Sequence, residues 1–99
     1  MSHLILLGDS IFDNAAYTDG GPDVVTQLND LLPAGWAASL LAIDGSTTDD
    51  IAGQVGGLPS DATHLVLSVG GNDALQQAHR LLTPASSTEE AVGLLADLA

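Results

Sequence analysis

Three short apolar runs each end at a small polar motif, and this pattern constrains the fold more than any other feature of the chain. Residues 4–7 lead into Gly8-Asp9-Ser10, residues 40–43 (the end of a strand candidate over 37–43) into Asp44-Gly45-Ser46, and residues 65–69 into Gly71-Asn72-Asp73. Continuous apolar runs of this length suit strands covered on both faces, as in a parallel sheet. Between them lie segments of helical character. Pro22 and Asp23 mark a helix start, Val24, Val25, Leu28, Leu31 and Leu32 follow at helical spacing, and Pro33 marks the exit. Ser46, Thr47 and Thr48 offer N-caps for a short helix with Ile51 and Val55 on its buried face, ended by Gly56-Gly57. A third helix is predicted from about Asp73 to Leu82. Ser87 and Glu90 form a capping-box signature for a fourth, with Val92, Leu95 and Leu98 on one stripe.

The order β-α-β-α-β-α-α implies a single α/β domain over residues 1–99: a parallel sheet, strand order 2-1-3, between layers of helix. Three strands make a small sheet, and the outer edge of the third would be open. The last helix has a start signal and no stop signal. The chain therefore reads as the N-terminal half of a longer α/β domain.

Composition narrows the functions. The net charge is −12, and Arg80 is the only Lys or Arg. One cation cannot neutralise the phosphates of a nucleic acid or hold an anionic membrane. There is no cysteine, so disulfides and thiolate metal sites are excluded. No His and carboxylate cluster has metal-ligand spacing, no phosphate-binding glycine loop is present, and no cofactor is expected. Met1-Ser2-His3 precedes a run too short for a signal peptide or membrane span, which makes a cytoplasmic location the default.

In an open α/β sheet, sites form beyond the carboxyl ends of the strands, where strand order reverses. Order 2-1-3 puts Ser10 at that point, with the Gly45 and Asn72 loops on either side. A serine hydroxyl attacks an ester carbonyl when a base takes its proton, and donors must hold the oxyanion that forms. The N–H groups of Ser10 and Gly45 and the Asn72 amide are suitable donors. Phe12 stands where a G-x-S-x-G elbow would need glycine, so that motif is absent.

Gly8-Asp9-Ser10-Ile11, Gly45 and Gly71-Asn72-Asp73, in this order after successive strands, resemble the SGNH hydrolases, also called the GDSL esterase/lipase family. The resemblance covers residues 4–82. It implies a three-layer α/β/α flavodoxin-like fold, Ser10 as nucleophile, and Ser10, Gly45 and Asn72 as the oxyanion hole. The family's fourth element is an Asp-x-x-His motif near the end of a considerably longer domain, supplying the base and the residue that orients it. No match to it is read here. The base is then expected from residues this chain lacks or from another chain, and the 99 residues alone are expected to be inactive or very slow.

Each of these residues also has a plainer role. Ser10 would cap its turn, Gly45 would be a turn glycine, and Asn72 would be a helix N-cap. Asp9 and Asp73 read as acceptors that orient their loops, and Asp49 and Asp50 as first-turn carboxylates favoured by the helix dipole. Phe12 is the best candidate to line an acyl pocket, while Trp36 is expected in the bottom of the core. His3 and His64 begin their strands and so lie at the wrong end. His79 is six residues past Asp73, about 9 Å along a helix axis, and reads as a surface or packing residue. The expectation is a serine ester hydrolase acting on a small-molecule ester. The alternative is a non-catalytic α/β module that binds a ligand at the same edge or forms a homo-oligomer through the exposed edge of the third strand.

Overall fold

A computed structural model describes residues 1–81, the last three by backbone alone. The helix expected after Ser87 lies outside the described residues. Strand β1 (Ser2–Gly8) is central, flanked by β2 (Trp36–Leu40) and β3 (His64–Ser68). Both pairings are parallel, running from Ser2↔Trp36 to Leu6↔Leu40 and from Leu4↔His64 to Gly8↔Ser68. The order is therefore 2-1-3 in a small flavodoxin-like α/β fold. Ile5 and Leu6 point to opposite faces of β1 and are 0% and 1% exposed, so both faces are covered. Each such side chain contributes about 1.5–3 kcal/mol relative to exposure. Leu7, Ala38 and Ala42 are the other buried apolar residues.

Parallel strands need crossovers, and these are right-handed, which puts the helices between β1 and β2 and between β2 and β3 on opposite faces. Helix α1 spans Val24–Leu31, starting where the carboxylate of Asp23 accepts the N–H of Thr26 at 3.0 Å. Pro22 precedes this cap. Helix α2 spans Ile51–Gly56, entered through a 3-10 turn at Thr48–Asp50 that a Thr47/Asp50 capping box opens. Helix α3 spans Gly71–Leu81. Among the described residues no helix is long and apolar enough to cross a membrane.

Several expectations are corrected. Strand β2 ends at Leu40 and not at Ile43, because the N–H groups of Leu41 and Ala42 both turn to the carbonyl of Leu6, at 2.9 Å each. Leu31 leaves the apolar stripe of α1 and is 83% exposed. Helix α2 buries Gln54, while Ile51 is half-buried and Val55 is 44% exposed. Trp36 does not enter the core. It starts β2 on the same face as His64 and lies against that ring at the rim, centroids 4.9 Å apart. The outer edge of β2 is protected by a side chain. Asn29 donates to the carbonyl of Ala38 and accepts its N–H, both at 2.9 Å, as a neighbouring strand would. Leu65, Val66 and Leu67 of β3 are all exposed.

Gly8 closes the ladder with β3 at φ +131°, and a Cβ there would sit 1.8 Å from the carbonyl oxygen of Ser68. Backbone cannot yield as a side-chain tip does. Gly8→Ala is expected to cost about 3 kcal/mol or more in chemical denaturation. A loss under about 1 kcal/mol would contradict this packing.

Candidate active site

The site is built from the carboxyl end of β1. Asp9 is buried, and its N–H donates to the carbonyl of Ser68 at 3.1 Å. Its carboxylate accepts the N–H of Ile11 at 3.0 Å. Its carbonyl accepts those of Phe12 and Asp13 at 3.1 and 2.9 Å. Ser10 lies inside this tight turn and is half-buried. Neither its hydroxyl nor its N–H has a hydrogen-bond partner among the described residues. The turn is tied to the loop after β2, since the Asp13 carboxylate accepts the N–H of Asp44 at 2.7 Å. The Tyr17 hydroxyl donates to the Asp44 carboxylate at 2.7 Å.

The second loop turns at Gly45, whose φ of +88° suits glycine, and the Ser46 N–H closes the turn on the carbonyl of Ile43 at 3.1 Å. Ser46 and Thr47 are buried. The third motif docks onto them. Asn72 sits in the first turn of α3, and its Nδ2 donates to the carbonyl of Ser46 at 2.9 Å. The Asp73 carboxylate accepts the Thr48 hydroxyl at 2.8 Å and the Thr48 N–H at 3.1 Å. Asn72 thus spans two loops.

Gln54 completes the assembly. Its Oε1 accepts the N–H of Gly8, and its Nε2 donates to the carbonyl of Gly8, each at 2.8 Å. Nε2 also donates to the Ser46 hydroxyl at 3.2 Å. One buried amide therefore ties the strand before Ser10 to the loop after Gly45. Sequence reasoning missed it. Its one signal was spacing: Gln54 stands three residues after Ile51, on the inward face of a short helix.

The three motifs meet at one edge, while other residues do not join them. An open groove of about 510 Å³ is lined by Gly45 together with Leu41, Ile43, Ser46 and Gln54, with Ser10, Phe12 and Asn72 outside its lining. His3 and His64 lie at the opposite, amino edge of the sheet. The string Asp61-Ala62-Thr63-His64 does spell Asp-x-x-His, contrary to the reading above, yet it leads into β3 at that far edge. Its His64 Nδ1 meets the Thr63 hydroxyl at 2.8 Å. The backbone of His79 belongs to α3, and its side chain lies outside the description. Among the described residues no group of three or more His, Asp or Glu is placed to hold a metal ion. No protein-family model, curated protein or solved structure matches the chain.

Tyr17 is the only tyrosine and reports on this assembly. Its hydrogen bond to Asp44, then the Asp44 charge, hold its pKa above the ordinary value. Ionising the phenol would lose that bond and set two negative charges together. Ultraviolet titration should show a midpoint above about 10, lowered in Asp44→Asn. An ordinary midpoint in both proteins would mean that Tyr17 and Asp44 are not bonded.

Proposed function

We propose that this edge is an acyl-transfer site of the serine ester hydrolase kind, acting on a small-molecule ester. Ser10 Oγ would attack the ester carbonyl carbon and give its proton to a base. The N–H groups of Ser10 and Gly45 and the free hydrogen of the Asn72 amide would hold the oxyanion. Collapse would expel the alcohol with the proton returned by the base, and water, giving its proton to the same base, would then release the acid and restore Ser10. Asp9 and Asp73 orient the loops, and Phe12 stays the nearest aromatic to the nucleophile in sequence.

The observation that carries this reading is the hydrogen-bonded path from Gly8 through Gln54 and Ser46 to Asn72. It gathers the three motifs that resemble those of the SGNH hydrolases. The reading places the base outside the side chains described, because His3 and His64 are at the other edge. Turnover by the 99 residues alone is therefore slow in this proposal. A cytoplasmic location belongs to this proposal.

A test should not depend on the base. An alkylboronic acid adds to a serine oxygen and becomes tetrahedral, as the intermediate does. Boron NMR should show a tetrahedral signal with the folded chain that is diminished in Ser10→Ala. Asn72→Ala should weaken binding about 100-fold, the usual effect of losing one oxyanion donor. A folded chain that never forms the adduct, or forms it equally in Ser10→Ala, would leave the non-catalytic α/β module as the better account.

A further inference from the structure

On one face of the sheet, beside the amino end of β1, the fold brings together a second serine, a histidine and an aspartate. His3 of β1 and Ser39 of β2 share one face. The register pairs His3 with Ala37 and Ile5 with Ser39, and side chains alternate between faces along each strand. His3 Nε2 is 2.6 Å from the Ser39 hydroxyl oxygen. His3 Nδ1 is 2.8 Å from an Asp61 carboxylate oxygen. The imidazole is 17% exposed, held between these partners, while Asp61 is 75% exposed. Ser39 is half-buried.

For the neutral imidazole the hydrogens follow from the partners. The hydrogen bond from His3 is the main cause holding the Asp61 carboxyl below its ordinary pKa, so Asp61 is ionised at neutral pH. An ionised carboxylate only accepts, so Nδ1 carries the hydrogen. In the neutral imidazole Nε2 is then the acceptor, and Ser39 O–H is the donor. That is the tautomer a general base needs, with the carboxylate orienting the ring.

We propose that Ser39 is an activated nucleophile, with His3 as its base and Asp61 as the positioning residue, and that it takes acyl groups from activated aryl esters. Ser39 Oγ forms a bond to the carbonyl carbon as His3 Nε2 takes its proton. The bond from that carbon to the aryl oxygen breaks, and the departing phenolate receives the proton from His3. Water attacks the acyl-serine with His3 again taking the proton, releasing the acid and restoring Ser39. The substrate class follows from what surrounds the serine. Ala38 turns its N–H and carbonyl outward to Asn29, so those of Ser39 turn inward to β1 and are not spare oxyanion donors. Without such donors the site favours electrophiles with readily departing groups. This inference does not rest on the Ser10 reading.

The test is labelling of the 99-residue chain with a dialkyl fluorophosphonate, in which the serine oxygen displaces fluoride from phosphorus. Cleavage before aspartates yields fragments 9–12 and 30–43, each with a single serine, Ser10 and Ser39. An adduct on fragment 30–43 reports this site and one on 9–12 reports the other, so failures of the two readings are distinguishable. Labelling of 30–43 is expected, lost in Ser39→Ala and slowed about 100-fold in His3→Gln. Asp61→Asn should also slow it, and Asp61→Glu should restore most of the rate, with circular dichroism confirming each fold. If His3→Gln does not fold, the Asp61 pair decides. A folded chain without adduct on 30–43, or a rate that none of these changes alters, overturns the proposal.

Discussion

The amide of Gln54 against the backbone of Gly8 is the contact on which the carboxyl edge depends. Gly8 stands on the central strand beyond the point where β2 stops pairing, since that ladder ends at Leu6↔Leu40. Its N–H and carbonyl face the side that β2 has left, in a buried position. A buried donor or acceptor without a partner costs about 1–3 kcal/mol. Gln54 meets both groups, and the N–H of Ile43 adds a second bond to the carbonyl. The apolar core is small, so such polar contacts weigh more here than in a larger domain. The amide is in place because the Thr47/Asp50 capping box fixes where α2 begins.

Much of the frame was legible in the sequence, for physical reasons. Residues 4–7 are apolar without alternation, which suits a strand covered on both faces. Asp23 and Thr47 mark helix starts because their side chains satisfy N–H groups that no helix can satisfy internally. What was not legible concerns polar side chains that bond to distant backbone. Asn29 and Gln54 act as pieces of missing strand, one along β2 and one beside Gly8. Nothing local to either residue separates that role from an exposed amide, because it depends on which backbone passes nearby. Val55 and Leu31 fit a helical stripe by spacing and are nevertheless exposed. The pairing of His3 with Ser39 and Asp61 joins three distant stretches of chain and depends on register. The grouping of Ser10, Gly45 and Asn72 loops was legible for the opposite reason, since successive parallel strands end at one edge whatever their contents.

A parallel sheet has two chemically different ends, and this chain furnishes both. At the carboxyl end lie glycines, turns and helix starts, which expose N–H groups and suit the stabilisation of an anion. Toward the amino end lie His3 and Asp61, with Ser39 of β2 alongside, which supply proton transfer, and the N–H of Ser39 turns inward to β1. The proposed roles follow this division: a cradle that needs a base at one end, and an activated serine without a cradle at the other.

The central claim is that one amide organises the carboxyl edge. Amide hydrogen exchange at Gly8, followed by NMR in the native protein and in Gln54→Leu, addresses it directly. In the native protein the Gly8 N–H should exchange as slowly as those of Ile5 and Leu6. In Gln54→Leu it should exchange about 10–100-fold faster than those core amides, with the Asn72 side-chain amide signals displaced. Exchange at Gly8 that still matches the core, in a folded Gln54→Leu protein with unmoved Asn72 signals, would contradict the account.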